Sequence, residues 1–240
     1  MSYNELVKHI FMSKPWYLEY DNFEFEIEVK KLSISHSVIC RYTKKKDGSP
    51  ANEKDAFKSI FRFFNEIVWF HQGHISDING GTSQGSHVSL NYRVRGEEYL
   101  PGFKQRVFED RPHLALAFYR EAECNESPYY RFLCFSKILE TPFKKKEAPL
   151  KVNWIKQQIL NLEDSIGTHF RDRKMATLKD KTLEDWLYED GRHAIAHANE
   201  GRLVRDPNNY DDWQDIVWAN TIMEELARKT ITQLLNVPPP

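Results

Sequence analysis

Within residues 184–204, EDWLYEDGRHAIAHANEGRLV, an arginine and two histidines stand close together: Arg192, His193 and His197, flanked by Ala194, Ile195 and Ala196. Histidine has an unperturbed pKa of about 6.5, so its imidazole can give or take a proton near neutral pH. Arginine stays protonated and offers a planar fork of donors that matches the oxygens of a phosphate. A fixed cation beside two proton carriers is therefore a candidate set for acid–base chemistry on a charged ester. Asn199, two residues further on, adds an amide that could bond a phosphate or His197.

Competing uses of these residues fit less well. His193 and His197 are four apart and share a helix face, which is metal-ligand spacing. Ala194, however, stands where the helical zinc proteases need a glutamate, and no nearby cysteine or third histidine completes a ligand set. No metal or cofactor is expected. The loop sequence GGTSQGS places Gly80 and Gly85 at the separation of a phosphate-binding loop, but Ser86 occupies the position of the lysine that would reach the phosphates. It reads as a surface loop. Arg106 and His113 form a second arginine–histidine pair, interrupted by Pro112.

The elements that must position these groups change character along the chain. NFEFEIEV alternates, with Phe23, Phe25, Ile27 and Val29 on one face, as in a half-buried antiparallel strand. The parity switches at Lys30–Lys31, which predicts a bulge or turn. SVICRY and HVSLNYRV can add strands, and the glycine-rich stretch 73–86 predicts a loop. Between them Phe57, Ile60, Phe61, Phe64, Ile67 and Val68 recur at helical spacing. From about residue 112 the periodicity is helical throughout. Pro112 and Ser127–Pro128 open two helices, and Val152, Ile155, Ile159, Leu162 and Ile166 predict one seam on a third. Thr182 with Asp185 resembles a capping box opening a fourth. A fifth begins near NNYDDW, with acidic residues where the helix dipole favours them. The fold class expected is α+β: a mixed strand and helix domain over residues 1–110, then an all-α bundle of five helices over residues 111–240.

An arginine followed by a polar residue, with a histidine after a four-residue gap, inside a late helix of a helical bundle, resembles the HEPN superfamily. The order YYRFLCFSKILE followed by LYEDGRHAIAHANEGRL is also similar to a bacterial group of methylamine-utilisation MauJ-like proteins, whose C-terminal part is HEPN-like. The resemblance covers roughly residues 112–236. It implies metal-independent cleavage of RNA, in which the ribose 2′-hydroxyl attacks its neighbouring phosphate and leaves a cyclic phosphate. Arg192 and His197 would then be catalytic, as electrostatic clamp and acid–base group. His193 and Asn199 would bind substrate, with His193 available as a second proton carrier. The resemblance also implies a toxin or antiviral defence role and a homodimer. Five steps of about 100° set Arg192 and His197 about 140° apart on a regular helix. An isologous two-fold interface would bring two such motifs into one cleft.

Composition narrows the partners. A net charge of -1 excludes a bulk polycation, so RNA would have to be held by local groups. Charged residues at 29% with 40% apolar content argue for a globular chain rather than a disordered one. Three widely spaced cysteines suit a reducing compartment, and no segment reads as a leader or membrane span, so a cytoplasmic location and no membrane partner are expected. Two other functions remain open: a non-catalytic HEPN-like binding or regulatory module and, more distantly, a metal-dependent hydrolase.

Overall fold

The computed structural model describes residues 15–28, 35–42, 45–83, 87–95, 103, 105–197 and 203–240. The chain divides into two compact units, one ending at Val107 and the other spanning Phe108–Pro239.

In the first unit, five strands form one antiparallel sheet in the order β1-β2-β3-β5-β4. They are β1 (Trp16–Tyr20), β2 (Phe23–Glu28), β3 (Ser35–Arg41), β4 (His74–Ser83) and β5 (His87–Arg95), with α1 (Glu53–His71) between β3 and β4. The alternation in β2 does what its sequence predicts: Phe23, Phe25 and Ile27 are buried while Glu24 and Glu28 face water. Val29 and the parity switch at Lys30–Lys31 lie outside the described residues. β1 joins β2 through Asp21 and Asn22, both at positive φ (50° and 62°), as a two-residue hairpin requires.

The stretch 73–86 departs from the loop expected there. Over His74–Ser83 it forms β4, with a register shift between Ser76 and Asn79. β4 lies at the sheet edge and pairs on one side only, so polar residues and glycines are tolerated in it and a bulge absorbs the irregularity.

Helix α1 is capped by Asn52, whose side chain accepts from the Asp55 N–H at 3.0 Å. It buries Ile60, Phe63, Phe64 and Ile67, and the Phe63 ring meets those of Tyr20 and Phe25 at 5.8 and 5.6 Å. Glu66 is buried in the same unit. Its carboxylate accepts from the Tyr20 hydroxyl at 2.6 Å and from the Arg106 N–H at 3.1 Å. Burial nevertheless pushes this acid up to about 7, against the hydrogen bonds that favour its charged form. The folded chain therefore holds the proton more tightly than the unfolded one. The stability this group contributes is fully present below pH 4.5 and is lost as pH rises from 4.5 through about 7, by on the order of 3 kcal/mol. Glu66→Gln, which does not titrate and keeps one of the two acceptor oxygens, is expected to remove this dependence. Hydrogen exchange of the α1 amides, corrected for intrinsic rate, should show protection falling from pH 5 to 8 in the wild type and staying level in the variant.

The second unit contains α2 (Asp110–Glu123), α3 (Pro128–Glu140), α4 (Ala148–Leu160), α5 (Ser165–Thr177), a composite helix α6 starting at Leu183, and α7 (Tyr210–Lys229). α3 packs along both α2 and α7, and α5 packs on α7. Phe132, Phe135 and Ile138 of α3 and Ile216, Ile222 and Leu226 of α7 are fully buried.

Among the described residues six helices replace the five expected, because the single seam from Val152 to Ile166 is broken. The Asp164 carboxylate accepts from the Gly167 N–H at 2.5 Å and caps a new helix, and Glu225 of α7 accepts from the N–H groups of Glu163 and Asp164 at 2.8 and 3.0 Å. These bonds satisfy a helix start where periodicity alone predicts continuation. Of the five seam residues only Ile159 is buried. Among the described residues no helix is long and apolar enough to cross a membrane.

Candidate functional site

The residues singled out in the sequence lie on α6. The helix starts at Thr182, whose hydroxyl accepts from the Asp185 N–H at 3.3 Å. It runs as an α-helix over Leu183–Trp186, widens to a π-helix over Leu187–His193, and closes with an α-turn at Ala194–Ala196. π-helical turns are rare and occur often at functional sites. The inner face is Leu183, Trp186, Leu187, Gly191 and Ala194. Gly191 is there because nothing larger fits. A Cβ on it would lie 2.6 Å from Cζ and 2.9 Å from Cε1 of the buried Phe132 ring. Gly191→Ala is therefore expected to destabilise the second unit by about 1–3 kcal/mol through overpacking, read as a lower denaturant midpoint.

The outer face carries the imidazoles. The His193 and His197 rings are 5.3 Å apart, and Tyr188 meets His193 edge-on at 4.8 Å. His197 ends the helix with extended backbone (φ -133°, ψ 118°), and its side chain is exposed. These three residues share an open cavity of about 400 Å³ with Lys181, Glu189, Asp190 and Leu203. Lys181 is already engaged, at 2.8 Å from Asp190 and 3.1 Å from Glu189. Among the described residues, the fixed charges around the histidines are thus one cation against two carboxylates.

Arg192 lies elsewhere. Its Nη2 pairs with Glu140 at 3.2 Å, its guanidinium sits 5.6 Å from the Tyr188 ring, and it lines a second cavity of about 260 Å³. Leu139, Leu187 and Met223 supply apolar lining there. Within the chain, then, His193 and His197 are brought together, while Arg192 and His197 open into different cavities. The π-helical turn ends at His193 and does not remove their angular offset. Tyr188 lines both cavities. Asn199 lies outside the described residues.

Two residues that the sequence reading passed over hold this arrangement. Tyr188 is four residues before Arg192 and five before His193, so helical spacing alone could have flagged it. Arg205 is nearly buried, with a side chain 8% exposed. Its Nε donates to the Asp190 carbonyl at 2.7 Å, its Nη1 lies 2.5 Å from Asp212 and 3.4 Å from Asp215, and it stacks 5.3 Å from the Trp186 ring. Its backbone N–H donates to the Ala194 carbonyl at 3.1 Å. Arg205 thereby fastens the chain returning from residues 198–202 onto the end of α6. Among the described residues no group of three His, Cys, Asp or Glu side chains is placed to hold a metal ion.

Fold and site together define a helical domain, following a small antiparallel-sheet unit, in which helix α6 presents a histidine pair on one cavity and an ion-paired arginine on another. Compared with known families, residues 115–232 match the model described as methylamine utilization protein MauJ. The helical unit therefore carries a MauJ-like domain, and the matched span includes all of α6. No curated protein and no solved structure matches the chain.

Proposed function

We propose that the helical unit is a metal-independent endoribonuclease of the HEPN type. The observation that carries this reading is the pair of imidazoles 5.3 Å apart on one solvent-open cavity. Two proton carriers at that separation can serve both ends of one displacement. His197 takes the proton of the ribose 2′-hydroxyl as that oxygen bonds to phosphorus. The bond from phosphorus to the 5′-oxygen breaks, and His193 gives its proton to the departing oxygen. The products are a 2′,3′-cyclic phosphate and a free 5′-hydroxyl. A positioned proton carrier contributes roughly 10²–10⁴ in rate.

Among the described residues, the fixed charges beside the histidines do not favour a phosphate, and a clamp from outside the cavity would supply what they lack. Arg192 of a second copy in a two-fold dimer meets this need. Its side chain is 30% exposed and bonds Glu140 through one terminal nitrogen, which leaves other donors of the fork for a phosphate. A toxin or anti-phage role follows from the resemblance to HEPN proteins alone.

The ion pair between Arg192 and Glu140 favours a second reading, a non-catalytic helical binding module in which the arginine is structural. One assay separates the two. RNA is incubated with the protein, with and without a chelator, beside a substrate in which a single scissile position is 2′-deoxy. Cleavage to a cyclic phosphate, blocked only at the deoxy position, supports the nuclease, since that position lacks the nucleophile. Silence in every arm supports the binding module, and cleavage abolished by chelator overturns both.

A further inference from the structure

The 260 Å³ cavity, lined by Arg192 but by neither histidine, is built differently from its neighbour. It lies between the end of α3, one face of α4 and the outer side of α6. Leu139, Val152, Ile155, Leu187 and Met223 give it an apolar body. One end is charged: the Glu140 carboxylate is shared by Arg192 at 3.2 Å and Lys151 at 3.8 Å. Both cations lie 5.6 Å from the face of Tyr188. Two cations on one carboxylate give the surroundings of Glu140 a local positive excess beside an apolar space. Of the other two acids in the lining, Glu184 is ion-paired with Lys156 at 3.8 Å, and Asp185 accepts from the Thr182 hydroxyl at 2.8 Å and keeps its charge. Val152 is 43% exposed on the cavity rim, apolar surface that an occupant would remove from water.

We propose that this cavity binds an amphipathic monocarboxylate, its carboxylate against Lys151 and Arg192 and its hydrocarbon body along Leu139, Ile155 and Leu187. Length supports the assignment. The eight steps from Glu184 to Arg192 span on the order of 10 Å along α6, close to an extended chain of eight carbons. Charge-assisted bonds to a planar carboxylate are what guanidinium and ammonium groups provide best, and a mostly apolar cavity with a few convergent polar groups is the usual form of a small-molecule site.

The test does not depend on RNA cleavage. Octanoate, octylamine and octan-1-ol are titrated into the full chain by calorimetry. Saturable binding of octanoate at least tenfold tighter than either of the others is expected. Lys151→Gln should weaken octanoate about tenfold, the worth of roughly one charge-assisted hydrogen bond. Val152→Trp, a substitution at an exposed position, should fill the space and abolish binding while the circular dichroism stays unchanged. Neither residue belongs to the proposed cleavage site. Equal affinity for octylamine or octanol, an unaffected Lys151→Gln, or no saturation by octanoate would each overturn the assignment.

Discussion

His197→Ala is expected to lower RNA cleavage by about 10²–10⁴-fold, the contribution of a positioned proton carrier, with almost no change in stability. The imidazole is exposed and ends its helix, and the His193 ring it meets is itself only partly buried. Exposed substitutions of this kind usually stay within about 0.5 kcal/mol. The loss should therefore appear as a slower single-turnover rate, with unfolding midpoints that superimpose on the wild type. A fall in rate accompanied by an equal fall in stability would mean that the histidine supports the helix end rather than the reaction. His193→Ala should also slow cleavage, and more strongly for substrates with a poor leaving group, because this imidazole is assigned to the departing oxygen.

Arg205→Met should destabilise the helical unit by about 2–3 kcal/mol, the range for removing one partner of a largely buried ion pair. Methionine keeps some of the packing on Trp186 but leaves Asp212 without the cation that contacts it at 2.5 Å. Asp215 keeps Lys174 at 2.7 Å, which holds the loss below the full cost of an unpaired acid. The carbonyl of Asp190, inside the π-helical turn, also loses its donor. Because Arg205 ties the returning chain to the end of α6, the same variant should lower cleavage further than its stability loss alone explains. Denaturant unfolding and single-turnover rates on the same preparations check both parts. Arg205→Lys should recover part of the stability, since it restores the charge without the planar fork.

Several features of this molecule were legible in the sequence because they rest on local periodicity. The alternation of β2, the apolar face of α1 and the capping of α3 and α6 each come from residues within one or two turns of each other. The α+β order of the two units followed from the same signals. The failures are tertiary. β4 is a poor strand by composition and exists because β5 supplies a ladder for it. The break between α4 and α5 depends on Glu225, a residue more than sixty positions away. Within the site, spacing placed His193 and His197 together and set Arg192 on another side. It could not show that Glu140 would pair with that arginine, because the partner comes from a different helix. Nor could it show the π-helical turn, which coincides with the close approach of Gly191 to the Phe132 ring.

The proposed site joins His197 of one copy to Arg192 of another, and mixing two inactive variants tests that directly. Arg192→Ala and His197→Ala are each purified, mixed in equal amounts, allowed to exchange subunits, and assayed on RNA in the presence of chelator. A site shared across a two-fold axis is rebuilt once in every mixed dimer, so about a quarter of wild-type activity should return. A mixture as silent as either variant alone, beside an active wild type, would contradict the shared site.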